Sequence, residues 1–247
     1  MALNPSAPAN QPAGQLIPDL DQAARHLAAI DPDPNQSTTV VMPDLGYTPR
    51  VADYPEAGVR FLIRAIGPTT LVAIQPDSSA QPHGFWSDES SIDAAAHWAE
   101  QHNHSGWNLY FTANLPRAGT PNKPAKDGIE AVRCFYADLD VKDGRTPQHC
   151  VAAIRSLPLA PSLIIATGGG FQPIWLLDTP RPTTDSGVCE WAEGVGRRLR
   201  AMLPGSDAVQ TIDRILRLPF TKNYPTEKKR RAGRVICCSG LVVESAP

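Results

Sequence analysis

The feature that most constrains this chain is the irregular order of its short periodic segments. Runs with the two-residue period of strands and runs with the 3.6-residue period of helices follow one another without a fixed repeat. Val59–Ile66 and Thr70–Ile74 read as two strands joined by Gly67-Pro68, and Trp107–Ala113 and Ala131–Val141 as two more. Ser162–Ala166 and Phe171–Leu177 read as a hairpin around Gly168-Gly169-Gly170, and Val235–Cys238 as a late strand. Between them, helical spacing marks Asp19–Ile30, Ser90–Gln101 with Ser90 or Ser91 as cap, Pro147–Leu157, and Thr184–Leu203 with Thr184 or Asp185 as cap. Hairpins mixed with crossovers predict an α/β or α+β fold with a mixed sheet, not a doubly wound parallel one.

With 42% hydrophobic residues, the 247-residue chain can build a sizeable core. A formal net charge of −2 is unlike a nucleic-acid binder that works by bulk positive charge, although an enzyme holding metal through carboxylates can still touch DNA with a local basic stripe. The five cysteines form no CxxC pair and no zinc spacing. With no signal peptide, they point to a reducing, cytoplasmic setting. Adjacent Cys237 and Cys238 read as buried strand. No apolar run approaches the roughly 20 residues of a membrane helix, so no membrane partner is expected. Residues 1–18, rich in Pro, Ala and Asn, read as a disordered leader. His26, on the helix that follows, reads as a surface or satisfied histidine. Because the chain stops soon after Val235–Cys238, it is expected to be a fragment of a longer protein.

Three segments carry chemistry. In Phe135-Tyr-Ala-Asp138-Leu-Asp140-Val-Lys142, strand alternation puts Asp138 and Asp140 on one face. Carboxylates that close repel unless a cation lies between them, and Mg²⁺ or Mn²⁺ suits oxygen ligands. In Thr167-Gly168-Gly169-Gly170-Phe171-Gln172, glycines permit close backbone approach to a phosphate, and Thr167 and Gln172 add hydrogen bonds. From Asp207 to Asn223, acids precede Arg214, Arg217, Thr221, Lys222 and Asn223, a set suited to a triphosphate. Taken singly, each also reads as an ordinary surface turn or loop. Lys123 and Lys126 read as a solvated loop, Lys228–Arg231 as template contacts or a solvated linker, and Trp175 as core strand.

In this order, over roughly residues 105–235, the three segments resemble the motifs of the archaeo-eukaryotic primase superfamily, closest to RepB-like primase-polymerase domains of plasmids, phages and mobile elements. The resemblance implies an RNA-recognition-motif-like core over about 105–235, an accessory α/β lobe over about 19–104, and a truncated strand or linker at 236–247. Asp138 and Asp140 match the hhhDhD metal ligands. Thr167–Gln172 matches the SGxGxH nucleotide turn, with Gln172 in place of histidine. Arg214-Ile-Leu-Arg217-Leu-Pro-Phe-Thr221-Lys222-Asn223 matches R-x-x-R-x-P-G-T-x-N, with Phe220 in place of glycine. For the third acid, Asp207 matches the family's position better than Asp213.

The implied activity is template-directed nucleotidyl transfer. Asp138, Asp140 and Asp207 would hold two Mg²⁺ or Mn²⁺ ions, with the metal acids in a cleft between lobes. Thr167, Gly168, Gly169, Gly170, Gln172, Arg217, Thr221, Lys222 and Asn223 would hold the nucleotide. Expected partners are single-stranded DNA template, nucleoside triphosphates, and a helicase domain or other replication partner. The alternative is a catalytically weakened nucleotide- or DNA-binding replication module of the same fold. A replication-initiator nuclease is disfavoured, because His102-Asn-His104 lies after a helix rather than on an apolar strand.

Overall fold

The computed structural model describes residues 47–51, 53–142 and 144–244. The expected leader 1–18 and the helix Asp19–Ile30, with His26, lie outside the described residues.

Two sheets form the frame. The seven-stranded sheet runs β1 (Tyr47–Val51), β13 (Gly240–Glu244), β8 (Leu163–Ala166), β9 (Gly170–Pro182), β6 (Ile129–Tyr136) and β5 (Leu115–Pro116), with β7 (Leu139–Asp140) also paired to β9. The four-stranded sheet runs β10 (Ile215–Arg217), β4 (Asn108–Thr112), β2 (Thr69–Ile74) and β3 (His83–Ser87). A short ribbon pairs β11 (Lys222–Asn223) with β12 (Cys237–Cys238). The α+β class with sheets flanked by helices is thus realised, and every described strand pair runs antiparallel. No helix among the described residues is long and apolar enough to cross a membrane.

Alternation along β8 shows how the large sheet is sandwiched. Leu163 and Ile165 face the main core, which joins the two sheets and the helix α1 (Pro55–Ile66). Ile164 and Ala166 face the opposite layer, where they meet Cys150, Val151 and Ile154 of α3 (Pro147–Arg155). Trp175 belongs to that second layer, as a core strand residue, and its indole N–H donates to the Leu159 carbonyl at 3.0 Å. Near the start of β6, Ile129 and Val132 pack on Val188 and Ala192 of α4 (Val188–Met202).

The sheets interleave along the sequence. β10 returns from the C-terminal half to pair with β4, while β1 and β13 join at the far edge of the large sheet. Within 236–247, expected as a truncated strand or linker, the described residues carry β12 and β13, and β13 pairs with both β1 and β8.

Several local expectations are corrected. Val59–Ile66 is helix, not strand: Pro55 opens α1, Glu56 pairs with Arg60 one turn on, and Gly67 at φ 80 closes it with its N–H on Ile63. Val59, Leu62 and Ile63 form its buried stripe, a spacing that a run of branched residues disguises. The helix expected from Ser90 begins as α2 at Ile92 and runs to His104. Its entry turn is capped by Asp88, whose carboxylate accepts from the Ser90 and Ser91 amides. Neither Thr184 nor Asp185 caps α4, which starts after Gly187 in the left-handed region at φ 78. Cys237 and Cys238 are half-buried, and Lys228–Arg231 lies on a short helix, α5 (Glu227–Arg231).

The buried Arg133 fastens the two sheets. Its guanidinium donates to the carbonyls of Ala113, Thr112, Ile66 and Pro68, with no carboxylate among those partners. Burial pulls its pKa down to about 10, still charged at neutral pH. Four carbonyl dipoles therefore do the work of a counter-ion.

Candidate active site

Ala137 and Leu139 point into the layer that holds α3. Asp138 and Asp140 therefore take the other side, as strand alternation requires. The two carboxylates sense each other: burial first, then the Asp140 charge, pushes Asp138 up to about 6. The Gln172 hydrogen bond and the Arg214 charge pull it back only in part.

The glycine turn lies directly against this acid strand. Asp140 pairs with Gly170, and Leu139 with Phe171. A Cβ on Gly170 would sit 2.0 Å from the Leu139 carbonyl oxygen, so only glycine lets the turn approach so closely. Gly168 occupies the exposed crest at φ 77. The turn is braced internally: Thr167 N–H donates to Gly170 O at 2.9 Å, and Gly169 N–H donates to Thr167 Oγ1 at 3.3 Å.

The third segment supplies an acid from the loop after α4. The Asp207 backbone N–H donates to the Asp138 carbonyl at 2.9 Å, which anchors this loop to the acid strand. The Lys142 ammonium donates to Asp207 Oδ1 at 2.6 Å and lies 3.6 Å from Asp140 Oδ2. It occupies the place of a cation between two carboxylates. Asp213 is turned elsewhere, where its charge acts on Tyr136 and Lys126. Of the two candidates for the third acid, the structure brings Asp207 to the pair. Among the described residues, no three His, Cys, Asp or Glu side chains are yet drawn close enough to grip a metal ion.

The polar residues expected to hold a nucleotide are largely bonded to one another. Gln172 bridges the two sheets, with Nε2 donating to Asp138 Oδ2 at 3.3 Å and Oε1 accepting from the Arg217 backbone N–H at 2.9 Å. Arg217, only 7% exposed, lies 4.3 Å over the Tyr110 ring and donates to Asn108 Oδ1, Tyr110 Oη and Asn223 Oδ1. Asn223 in turn donates to the Thr167 carbonyl at 2.8 Å. Thr221 is fully buried, its hydroxyl on the Leu218 carbonyl and Ser239. Lys222 reaches away to Asp53. The turn Gly168–Gly170 and the acids are thus brought together, with Gln172, Arg217 and Asn223 as the frame behind them, while Thr221 and Lys222 face elsewhere.

Phe220 holds φ 60, a left-handed backbone that suits glycine and strains a bulky residue. Its ring is 5% exposed and packs in the main core, which offsets the strain. Behind it, a Cβ on Gly58 of α1 would sit 2.1 Å from the Pro219 carbonyl oxygen. The motif loop is therefore clamped by the helix that the sequence disguised.

Sequence reasoning missed three site residues. Lys142 was legible, because it continues the alternation from Asp138 and Asp140. Arg234 was not: its Nη2 donates to the Val141 carbonyl at 3.0 Å and approaches Gly169 O at 3.4 Å, a contact made only by folding. Nor was Tyr110, whose ring carries the Arg217 guanidinium.

Two sheets with an acid strand, a glycine turn and an inserted arginine strand make a fold shared with a solved primase-polymerase domain. Among solved structures, the chain is similar to the AEP domain of the cyanophage S-2L primase-polymerase, with TM-score 0.51 and 17% identity over 78% of this chain and 89% of that one. It also aligns with primase RepB′, with TM-score 0.48 and 10% identity over 78% of this chain and 57% of that one. A further match is the catalytic domain of RepB′ in complex with initiator DNA, with TM-score 0.46 and 11% identity over 74% of this chain and 83% of that one. No protein-family model matches the chain, and a search of curated proteins finds no match.

Proposed function

We propose that this chain is a template-directed DNA primase-polymerase that joins nucleoside triphosphates on single-stranded DNA, in the replication of a plasmid, phage or other mobile element. One observation carries the reading: Asp138 and Asp140 share a face beside a glycine turn on a primase fold, and the Lys142 ammonium joins Asp140 to Asp207.

The donor set fits Mg²⁺ or Mn²⁺. Three carboxylates are oxygen donors, and Asp138, pushed up first by burial and then by the Asp140 charge, lies where a cation would offset that charge. Asp138, Asp140 and Asp207 would be the ligands. Bound there, two divalent ions would activate the primer 3′-hydroxyl and neutralise the departing pyrophosphate. The chain's own part is positioning. Gln172 holds Asp138 Oδ2 and ties it to the Arg217 strand, so the carboxylate is aimed before metal arrives. Lys142 would leave its two carboxylates and turn its charge toward the incoming phosphates. The exposed crest at Gly168 would face the phosphates, with the Arg234 guanidinium packed against Gly169 as a nearby cation.

A second reading has its own observation. Gln172, Arg217 and Asn223 spend their polar atoms on each other, as in a nucleotide- or DNA-binding module that has lost turnover. One assay separates the two. The protein is incubated with single-stranded template, labelled nucleotides and Mn²⁺, beside an Asp138→Ala/Asp140→Ala control, and extension and pyrophosphate are both measured. The enzyme yields both products and the control yields neither. Nucleotide binding with no pyrophosphate, with or without a supplied primer and with either ion, leaves only the binding module.

A further inference from the structure

Away from the acids, a cavity of about 640 Å³ opens beside the C-terminal end of α2. His83, Glu100, Gln101, His102, His104, Ser105 and Trp107 line it. His83 starts the edge strand β3, and His102 sits in the last turns of α2. His83 Nδ1 lies 3.1 Å from His102 Nε2.

The tautomer of His102 follows from its other nitrogen. His102 Nδ1 lies 2.9 Å from the Trp98 carbonyl oxygen, which can only accept. The proton therefore resides on Nδ1, and Nε2 presents its lone pair to His83. A backbone carbonyl behind the ring is the support that metal-binding histidines commonly have. The His83 ring is held as well, stacked on Trp107 at 4.5 Å and 26° and set edge-on to His102 at 5.4 Å and 85°.

The spacing suits an ion. Two imidazole nitrogens on one tetrahedral centre, with bonds of about 2.0–2.1 Å, lie about 3.3–3.4 Å apart. Placing both on one ion needs a widening of a few tenths of an ångström and a turn of each ring, because a hydrogen bond aims the two nitrogens at each other and an ion lies off the line between them. Without metal, His83 Nδ1–H donates into His102 Nε2. On binding, that proton moves through solvent to His83 Nε2, so the neutral pair coordinates with no net proton loss.

The geometry points to a transition-metal site at His83 and His102, for Zn²⁺, Ni²⁺ or Cu²⁺, that clips the edge strand β3 to helix α2. Imidazole selects these ions over Mg²⁺, which takes oxygen. The site is therefore chemically distinct from the carboxylate end. Water would complete the coordination. With two fixed protein ligands, affinity in the micromolar range is expected. The clip matters because β3 is otherwise paired along one side only, to β2.

The test uses the whole chain in millimolar Mg²⁺, with ZnCl₂ added in a calorimeter. One ion should bind with a Kd on the order of 1–10 µM, and His83→Ala and His102→Ala should each weaken it by about tenfold or more. His97→Ala, an exposed histidine of the same helix that pairs with Gln101, should bind as the parent does. Zinc binding should persist in Asp138→Ala/Asp140→Ala, which separates this site from the acids. As a second readout, Cu²⁺ should show electron-spin-resonance couplings to two imidazole nitrogens in the parent and to one in each single variant. Parent binding weaker than about 100 µM, or His83→Ala and His102→Ala variants that bind zinc like the parent, would overturn the assignment.

Discussion

The acid end of β6–β7 and the polar frame around Arg217 face each other across one glutamine, yet they are built on opposite rules. Around Arg217, the charge is stacked on Tyr110 and its guanidinium is spread over Asn108, Tyr110 and Asn223. At the acids, Asp138 is held near pH 6 by burial and by a neighbour of the same sign. One region spends its polar atoms on stability. The other keeps charge in reserve, as expected where a ligand rather than the fold completes the site.

The largest effect that sharpens this contrast is on turnover. Asp138→Ala/Asp140→Ala should cut nucleotide incorporation by at least about a thousandfold while the circular dichroism spectrum stays that of the parent, because both ligands of the proposed ions leave together. A control that still extends primers would erase the distinction between the two regions.

Next comes the frame. Arg217→Ala strands the polar atoms of Asn108, Tyr110 and Asn223 and should cost about 3 kcal/mol in urea unfolding. An unchanged midpoint would mean that the frame is not a stabilising network.

Removing charge at the acid end should do the reverse. The Asp138 carboxyl is pushed up from its ordinary 3.8 to about 6 in the fold, so the folded state binds its proton more tightly. Its stabilising contribution is therefore full below about pH 4 and is lost as pH rises through about 6. Asp138→Asn, which keeps an oxygen for Gln172, should raise metal-free stability at pH 7.5 by up to about 3 kcal/mol, and the gain should vanish at pH 4. Thermal melts at both pH values measure it, and a gain of equal size at pH 4 would remove the titration from the explanation.

The smallest effect is at Lys142. Its ammonium competes for Asp140 and Asp207, and exposed pairs of this kind are weak. Lys142→Met should therefore tighten Mn²⁺ binding by roughly two- to fivefold in a calorimetric titration. Weaker binding would show that the lysine supports the ion rather than standing in for it.

What the sequence disclosed, and what it hid, divides along the same line. Asp138, Asp140 and the glycine turn were legible because strand alternation and glycine spacing are local. So was Trp175 as core. The preference for Asp207 over Asp213 came only from the resemblance, because its physical ground, the loop after α4 folding back onto the Asp138 carbonyl, is not local. The frame role of Gln172 and Arg217 was hidden for a like reason: they meet as neighbours from two different sheets. Helix α1 was misread because Val59-Arg-Phe-Leu-Ile looks like a strand when its residues are taken one by one, whereas Pro55, Glu56 and Gly67 at its ends decide the matter.

The place of β13 has a consequence for how the molecule is made. It lies between β1 and β8, so the earliest and a much later strand of the large sheet both pair with one that emerges after them. Among the described strands, β8 would present a bare edge during synthesis until residues 240–244 leave the ribosome, and β1 would have no neighbour in the sheet. A nascent chain stalled before Gly240 should be the species most prone to stick to its own copies.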